Sequence, residues 1–242
     1  MVDISLVVWA IALVVTAGGA AIQGTVGVGY GMVTVPILAL LEPTLSPVPQ
    51  LLTAVPLTIA MAWRERHAID FKGVGWLIVG RLPGAAIGVA LLAVATQRLL
   101  DLFIGAVVIV AVLVIGAGMS VNVNPLTQFS AGVASGTTSL VASIGGPPTA
   151  LLYSKATAPT LRATLAAVFS LGIIFNVAVR FATGNVVESD LRVSAVLLPA
   201  VLVGWAMSVR HKHRFSGGAV RLGVLGVSGA AAVGLLVRAI TG

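Results

Sequence analysis

Two short stretches of the chain carry residue types from which a binding site for a small anion can be built. The first runs Gln23-Gly24-Thr25-Val26-Gly27-Val28-Gly29-Tyr30-Gly31 and is followed by Pro36. The second runs Ser135-Gly136-Thr137-Thr138-Ser139 and leads into Ser143-Ile144-Gly145-Gly146-Pro147-Pro148-Thr149. Glycines let backbone approach a ligand closely. A helix starting just after such a break presents unpaired N–H groups and about half a positive charge, a ready anion site. The candidate binding residues are Gln23, Gly24, Thr25, Gly27, Gly29 and Gly31 from the first stretch, and Thr138, Ser139, Ser143, Gly145 and Gly146 from the second. Small residues also let helices pack closely, and Gly18, Gly19, Gly116 and Gly118 are read that way.

Two further groups join the candidates. Arg81 is the one charge well inside an apolar stretch, about seven residues past Val74 and so roughly 10 Å along a helix, with Pro83 beside it. An intramembrane arginine is costly and usually functional, although a long side chain can also snorkel back to the interface; both readings stay open. Asn176 lies inside another apolar stretch, about one turn before Arg180, and should face protein rather than lipid. Arg64 and Arg180 sit at stretch ends, as vestibule charges that attract anions or as interface anchors.

Other chemistries lack their residues. No Asp or Glu falls in the interior of an apolar stretch, which argues against a carboxylate site for Na⁺ or metal ions and against an acidic proton relay. His211 and His213 flank Lys212 in a basic loop with no nearby acid, so no metal is expected there. The chain has no cysteine, which removes disulfides, thiolate metal sites and cysteine nucleophiles. There is no Ser/His/Asp constellation, phosphate-binding loop or nucleotide motif. Neither an enzymatic activity nor a cofactor is expected.

The elements that must position the candidates follow from composition. Of 242 residues, 58% are hydrophobic and 9% charged, against about 25% charged in a soluble domain. Soluble enzymes, DNA-binding domains and secreted disulfide scaffolds are excluded. The net charge of +7 would suggest nucleic acid in a soluble protein, but Lys and Arg gather in the cytoplasmic loops of membrane proteins, so the expected partners are a small anion and the lipid bilayer. The fold class expected is all-α and polytopic, with room for roughly eight or nine crossings. The apolar stretches are Ile4 to Ile22, Val26 to Leu41, Val48 to Trp63, Val74 to Val94, Leu99 to Met119, Phe129 to Tyr153, Arg162 to Ala182, Leu191 to Val209 and Ala219 to Ala239. The first follows Asp3 and no basic run, so it reads as a retained helix rather than a cleaved signal.

The chain matches itself at one ungapped offset of 116, the separation of Gly29 and Gly145. Arg64 then falls on Arg180, Leu82-Pro83 on Leu198-Pro199, Gly88 on Gly204 and Arg98 on Arg214. The halves are residues 1–119 and 126–242, joined by a short turn over 120–125, and each holds a Gly-broken hairpin plus three spans. The two densest basic loops, Arg64 to Lys72 and Arg210 to Arg214, are not repeat mates. Both can be cytoplasmic only if the halves insert in opposite orientation, which places Lys155 and Arg162 inside and Glu42, Asp101, Glu188 and Asp190 outside. That is the inverted-topology repeat used by many secondary transporters, which bind substrate near the midplane where broken helices meet.

The G-x-G-x-G…P run from Gly27 to Pro36, its counterpart I-G-G-P from Ile144 to Pro147, and the later L-P-x4-G of Leu82 to Gly88 and Leu198 to Gly204 resemble the sulfite exporter family TauE/SafE over nearly the whole chain. The resemblance implies a secondary transporter of sulfite, thiosulfate or organosulfonates in a bacterial cytoplasmic (inner) membrane, working by alternating access. Tyr30 and Pro147 depart from the usual glycine triplet. A passive anion channel and a membrane assembly subunit whose glycines only pack helices are the other classes considered, and a homodimer is left open.

Overall fold

The computed structural model describes residues 4–210 and 218–241. The His211–His213 pair and Arg214 lie outside the described residues. The described chain forms ten α-helices and no strand: α1 Leu6–Val26, α2 Tyr30–Leu41, α3 Val48–Arg64, α4 Phe71–Ala93, α5 Gln97–Gly116, α6 Pro125–Ala142, α7 Gly146–Leu152, α8 Ala158–Ala182, α9 Glu188–Arg210 and α10 Gly218–Thr241. Seven are long and apolar enough to cross a membrane: α1, α3 with its preceding turn, α4, α5, α8, α9 and Leu222–Thr241 of α10. This is fewer than the eight or nine expected. Helices α2 and α7 are too short, and α6, rich in Ser, Thr and Gly, is not among the seven.

Helix α1 runs through Gln23 and Gly24 to Val26, so Val26 closes the first arm of the hairpin instead of opening the second. A single interior glycine costs about 1 kcal/mol against Ala, which burial offsets here: Gly24 seats the Ser208 side chain of α9. The chain turns where L side chains are strained, at Gly27 (φ 98°) and Gly29 (φ 136°). The apparent single stretch from Phe129 to Tyr153 is two helices, parted by Ser143 in the left-handed region at φ 57°.

Small residues set the packing. Gly80 and Gly84 of α4 lie against Phe129 O and Val133 O of α6, and Gly132 of α6 lies against Leu77 O. Gly204 of α9 faces Ala17 O of α1 in the same way. A Cβ at any of these positions would run into backbone, so the helices approach as closely as membrane helices do. The main packed pairs are α4 with α6, α1 with α9, α3 with α8 and α5 with α10. Advancing α1–α5 by the 116-residue offset lays their bounds approximately over α6–α10, and the α4/α6 pair then becomes α9/α1. Large apolar side chains such as Trp63, Phe71, Leu126 and Ile240 point outward, as lipid-facing residues must.

Candidate functional site

The two breaks meet. Gly31, in the first turn of α2, lies directly against the Ser143 carbonyl, and Gly146, at the start of α7, lies against the Val28 side chain. Between them is a cavity of about 30 Å³ lined by Gln23, Val28–Met32, Ala54, Ser139, Ser143–Pro147, Phe169 and Ile173. Ala54 falls near the middle of the span Pro43–Arg64, and Phe169 and Ile173 near the middle of Ala158–Ala182. The cavity therefore sits at mid-depth of the bundle. It has room for one or two waters.

Its polar wall is made of neutral groups. Gln23 Oε1 accepts from Tyr30 N at 2.9 Å, which caps α2 and leaves the side-chain N–H₂ of Gln23 as a donor. The N–H groups of Gly31 and Met32 belong to the first turn of α2, where the helix supplies no acceptor. Tyr30 O–H and Thr53 Oγ1 are 2.7 Å apart, and Thr53 Oγ1 donates to Pro49 O, so the tyrosine is fixed to α3. Ser139, 116 residues after Gln23, pairs its hydroxyl with the Asn176 amide at 3.0 Å. Ser143 Oγ donates across to Pro47 O at 2.7 Å, tying the second break to the start of α3. No Asp or Glu lines the cavity.

The structure sorts the candidates. Gln23, Gly29, Gly31, Ser139, Ser143, Gly145 and Gly146 come together at the cavity. Gly24, Thr25, Gly27, Arg81, Thr138 and Asn176 do not line it. Gly24 is a packing notch for Ser208, and Gly27 packs against Leu161 and Arg162. The hydroxyls of Thr25 and Thr138 turn back on their own helices, to Ala21 O and Ala134 O. Asn176 stands one residue behind the wall, holding Ser139. Arg81 is also one step behind: Nη1 donates to Ser135 Oγ at 2.6 Å, and Ser135 Oγ donates to Gly145 O at 2.7 Å.

Sequence reasoning missed the groups that hold the broken helix ends. Arg64 Nη2 donates to Gly24 O at 2.7 Å, and its repeat mate Arg180 donates to Leu140 O through Nε (2.8 Å) and Nη2 (2.6 Å). Gly24 and Leu140 are likewise 116 residues apart. Each arginine thus sits on the C-terminal carbonyls of the helix that enters its break, where the helix dipole favours a cation. These arginines are neither free vestibule charges nor simple interface anchors. Glu65 pairs with Arg162 at 2.9 Å and Arg64 at 3.4 Å beside the first break. The signal available in the sequence was the Arg64/Arg180 match; the carbonyls they serve carried none. Phe169 and Ile173 had no distinguishing pattern either, while Ser135 and Tyr30 lie inside the two break stretches but are not among the candidates.

Val28 lines a second cavity as well, about 350 Å³, bordered by Met119, Ser154, Lys155 and Leu161. Its repeat mate Ile144 is 1% exposed and packed among Met32, Val35 and Ala142. Near Lys155, Tyr153 donates to Asp70 Oδ2 at 2.8 Å. Burial first, then the bond to Asp70 and its charge, push the Tyr153 phenol above its usual range and keep it a donor.

A family model described as Sulfite exporter TauE/SafE matches residues 11–235. Neither the curated proteins nor the solved structures give a match to the chain.

Proposed function

The chain belongs to the sulfite exporter TauE/SafE family, a family of membrane transporters, and on that premise we propose that it carries a small sulfur-containing anion by alternating access. The protein is a multi-pass membrane protein; the cytoplasmic membrane is the assignment we favour, with sulfite, thiosulfate or an organosulfonate as substrate. The observation that carries this reading is the convergence of both breaks on one mid-depth cavity whose polar wall is neutral and free of carboxylates. Donors without acceptor charge suit an anion: each hydrogen bond to a charged group contributes about 1.5–3 kcal/mol, and several are needed to offset lost hydration.

Residues 1–119 and 126–242 act as two inverted repeats that rock about the cavity. Val28 separates it from the larger chamber at Lys155, which the charge distribution puts on the cytoplasmic side. Ile144 closes the opposite side under a thicker apolar layer. A cavity of this size requires the hairpins to part before an anion enters, which is why the Gly31–Ser143 and Gly146–Val28 contacts are the moving surfaces.

The test is flux into liposomes containing the purified chain. Saturable uptake of sulfite, thiosulfate or ethanesulfonate is expected, and Gly31→Ala should abolish it. No movement of any of the three under any gradient overturns the reading. Conductive, non-saturating current overturns alternating access and makes the cavity part of a channel.

A further inference from the structure

Arg81 is 2% exposed and lies among α4, α6 and α8. Its Nη1 is the only guanidinium nitrogen with a partner, the Ser135 hydroxyl; Nε and Nη2 have none. They occupy the space a side chain at Gly172 would fill. The ion pairs among the described residues join Arg64 and Arg162 to Glu65, Arg192 to Glu188 and Arg238 to Asp101. Arg81 enters none of them. Around it α6 has no titratable side chain, and α8 has only Arg162 and Arg180, one near each end. On α4 itself the nearest charges are Lys72 and the capping Asp70, about three turns away and bonded to Tyr153.

The neighbouring cations each meet backbone carbonyls or a carboxylate. Arg180 is spread over the carbonyls of Leu140, Val141 and Asn185; Arg64 donates through Nη2 to Gly24 O and shares Glu65 with Arg162, while its own Nε and Nη1 have no hydrogen-bond partner. At the position repeat-related to Arg81 stands Leu197, fully buried and apolar. Arg81 meets neither a carbonyl nor a carboxylate, and its charge stands two short hydrogen bonds behind the cavity wall at Gly145. Resting on the reading of that cavity as the anion site, we infer that Arg81 fixes the valence of the substrate at one: the site takes a monovalent oxyanion, an alkanesulfonate or hydrogen sulfite, in preference to a dianion such as thiosulfate or sulfite.

The physical reason is charge balance in a medium that screens poorly. One buried cation compensates one negative charge, and a second is buried without a counter-charge, a strongly unfavourable arrangement. Arg81 does not reach the cavity, so it is a positioning residue: it polarises the Ser135 hydroxyl and, through it, holds the Gly145 turn.

The experiment is titration calorimetry on the detergent-solubilised full chain, with ethanesulfonate, thiosulfate and sulfite as probes. At neutral pH ethanesulfonate should bind about tenfold or more tighter than thiosulfate. Its affinity should stay flat from mildly acidic to mildly alkaline pH, while that for sulfite falls as hydrogen sulfite loses its proton. Arg81→Lys keeps the charge and should keep this order; Arg81→Leu should lower ethanesulfonate affinity by about tenfold or more. Thiosulfate binding as tightly as ethanesulfonate overturns the valence assignment while leaving the anion site standing. Failure of all three to bind overturns the site reading itself. An Arg81→Leu chain that folds and keeps both affinity and order removes Arg81 from the assignment, and the wild-type comparison decides the valence whether or not that variant folds.

Discussion

Arg180 and Arg81 are both guanidinium groups sunk in the bundle, 4% and 2% exposed, yet they stand in opposite states. Arg180 directs Nε and both terminal nitrogens to backbone carbonyls, chiefly at the end of α6. Arg81 has one hydroxyl and two nitrogens with no partner. Burial alone therefore does not mark a functional charge here. Arg180 holds the end of α6 in place through its carbonyls, whereas Arg81, on the valence proposal, keeps its field for an incoming anion.

The largest expected effect that can break this comparison is on Arg180. Arg180→Leu should cost about 3–5 kcal/mol, because it leaves the carbonyls at the end of α6 without donors in a dry interior; unfolding in detergent measures it, and a loss under about 1 kcal/mol would mean the end of α6 needs no such anchor. Next is the contact between the breaks. Gly31→Ala pushes a methyl into the Ser143 carbonyl and should cost about 1–3 kcal/mol as an overpacked site, with flux lost because the hairpins no longer close. Arg81→Leu should act with the opposite sign, raising stability by about 1–2 kcal/mol as an uncompensated buried charge is replaced by an apolar side chain. Destabilisation on the scale of Arg180→Leu would erase the distinction between the two arginines. The smallest effect is expected at Ser135→Ala, about 1 kcal/mol in stability, accompanied by weaker anion binding in calorimetry; unchanged binding would show that the Arg81 charge is not passed through Ser135.

Composition and apolar run length require a helical membrane protein, because a chain with so few charges cannot clothe a soluble surface. The two dense Gly/Pro runs mark where helices break, whereas Gly18-Gly19 and Pro83 lie inside α1 and α4. Even so, the first break lies at Gly27–Gly29 and not at Gln23: α1 continues through Gly18, Gly19 and Gly24, the last of which seats the Ser208 side chain. Thr25 and Thr138 have the right chemistry at nearly the right positions and still miss the cavity, their hydroxyls turned to carbonyls of the preceding turn.

The membrane setting, the 116-residue internal match and the two glycine breaks are written in the residues, because apolar length, rare-residue coincidence and backbone freedom are local properties. Long-range packing settles which side chains wall the cavity and that Arg81 meets neither a carbonyl nor a carboxylate. Arg180 finds its acceptors 40 residues away at Leu140, and Arg81 its only partner 54 residues away at Ser135. Whether a buried charge is satisfied depends on which carbonyls packing brings within 3 Å, and no local pattern of residues records that.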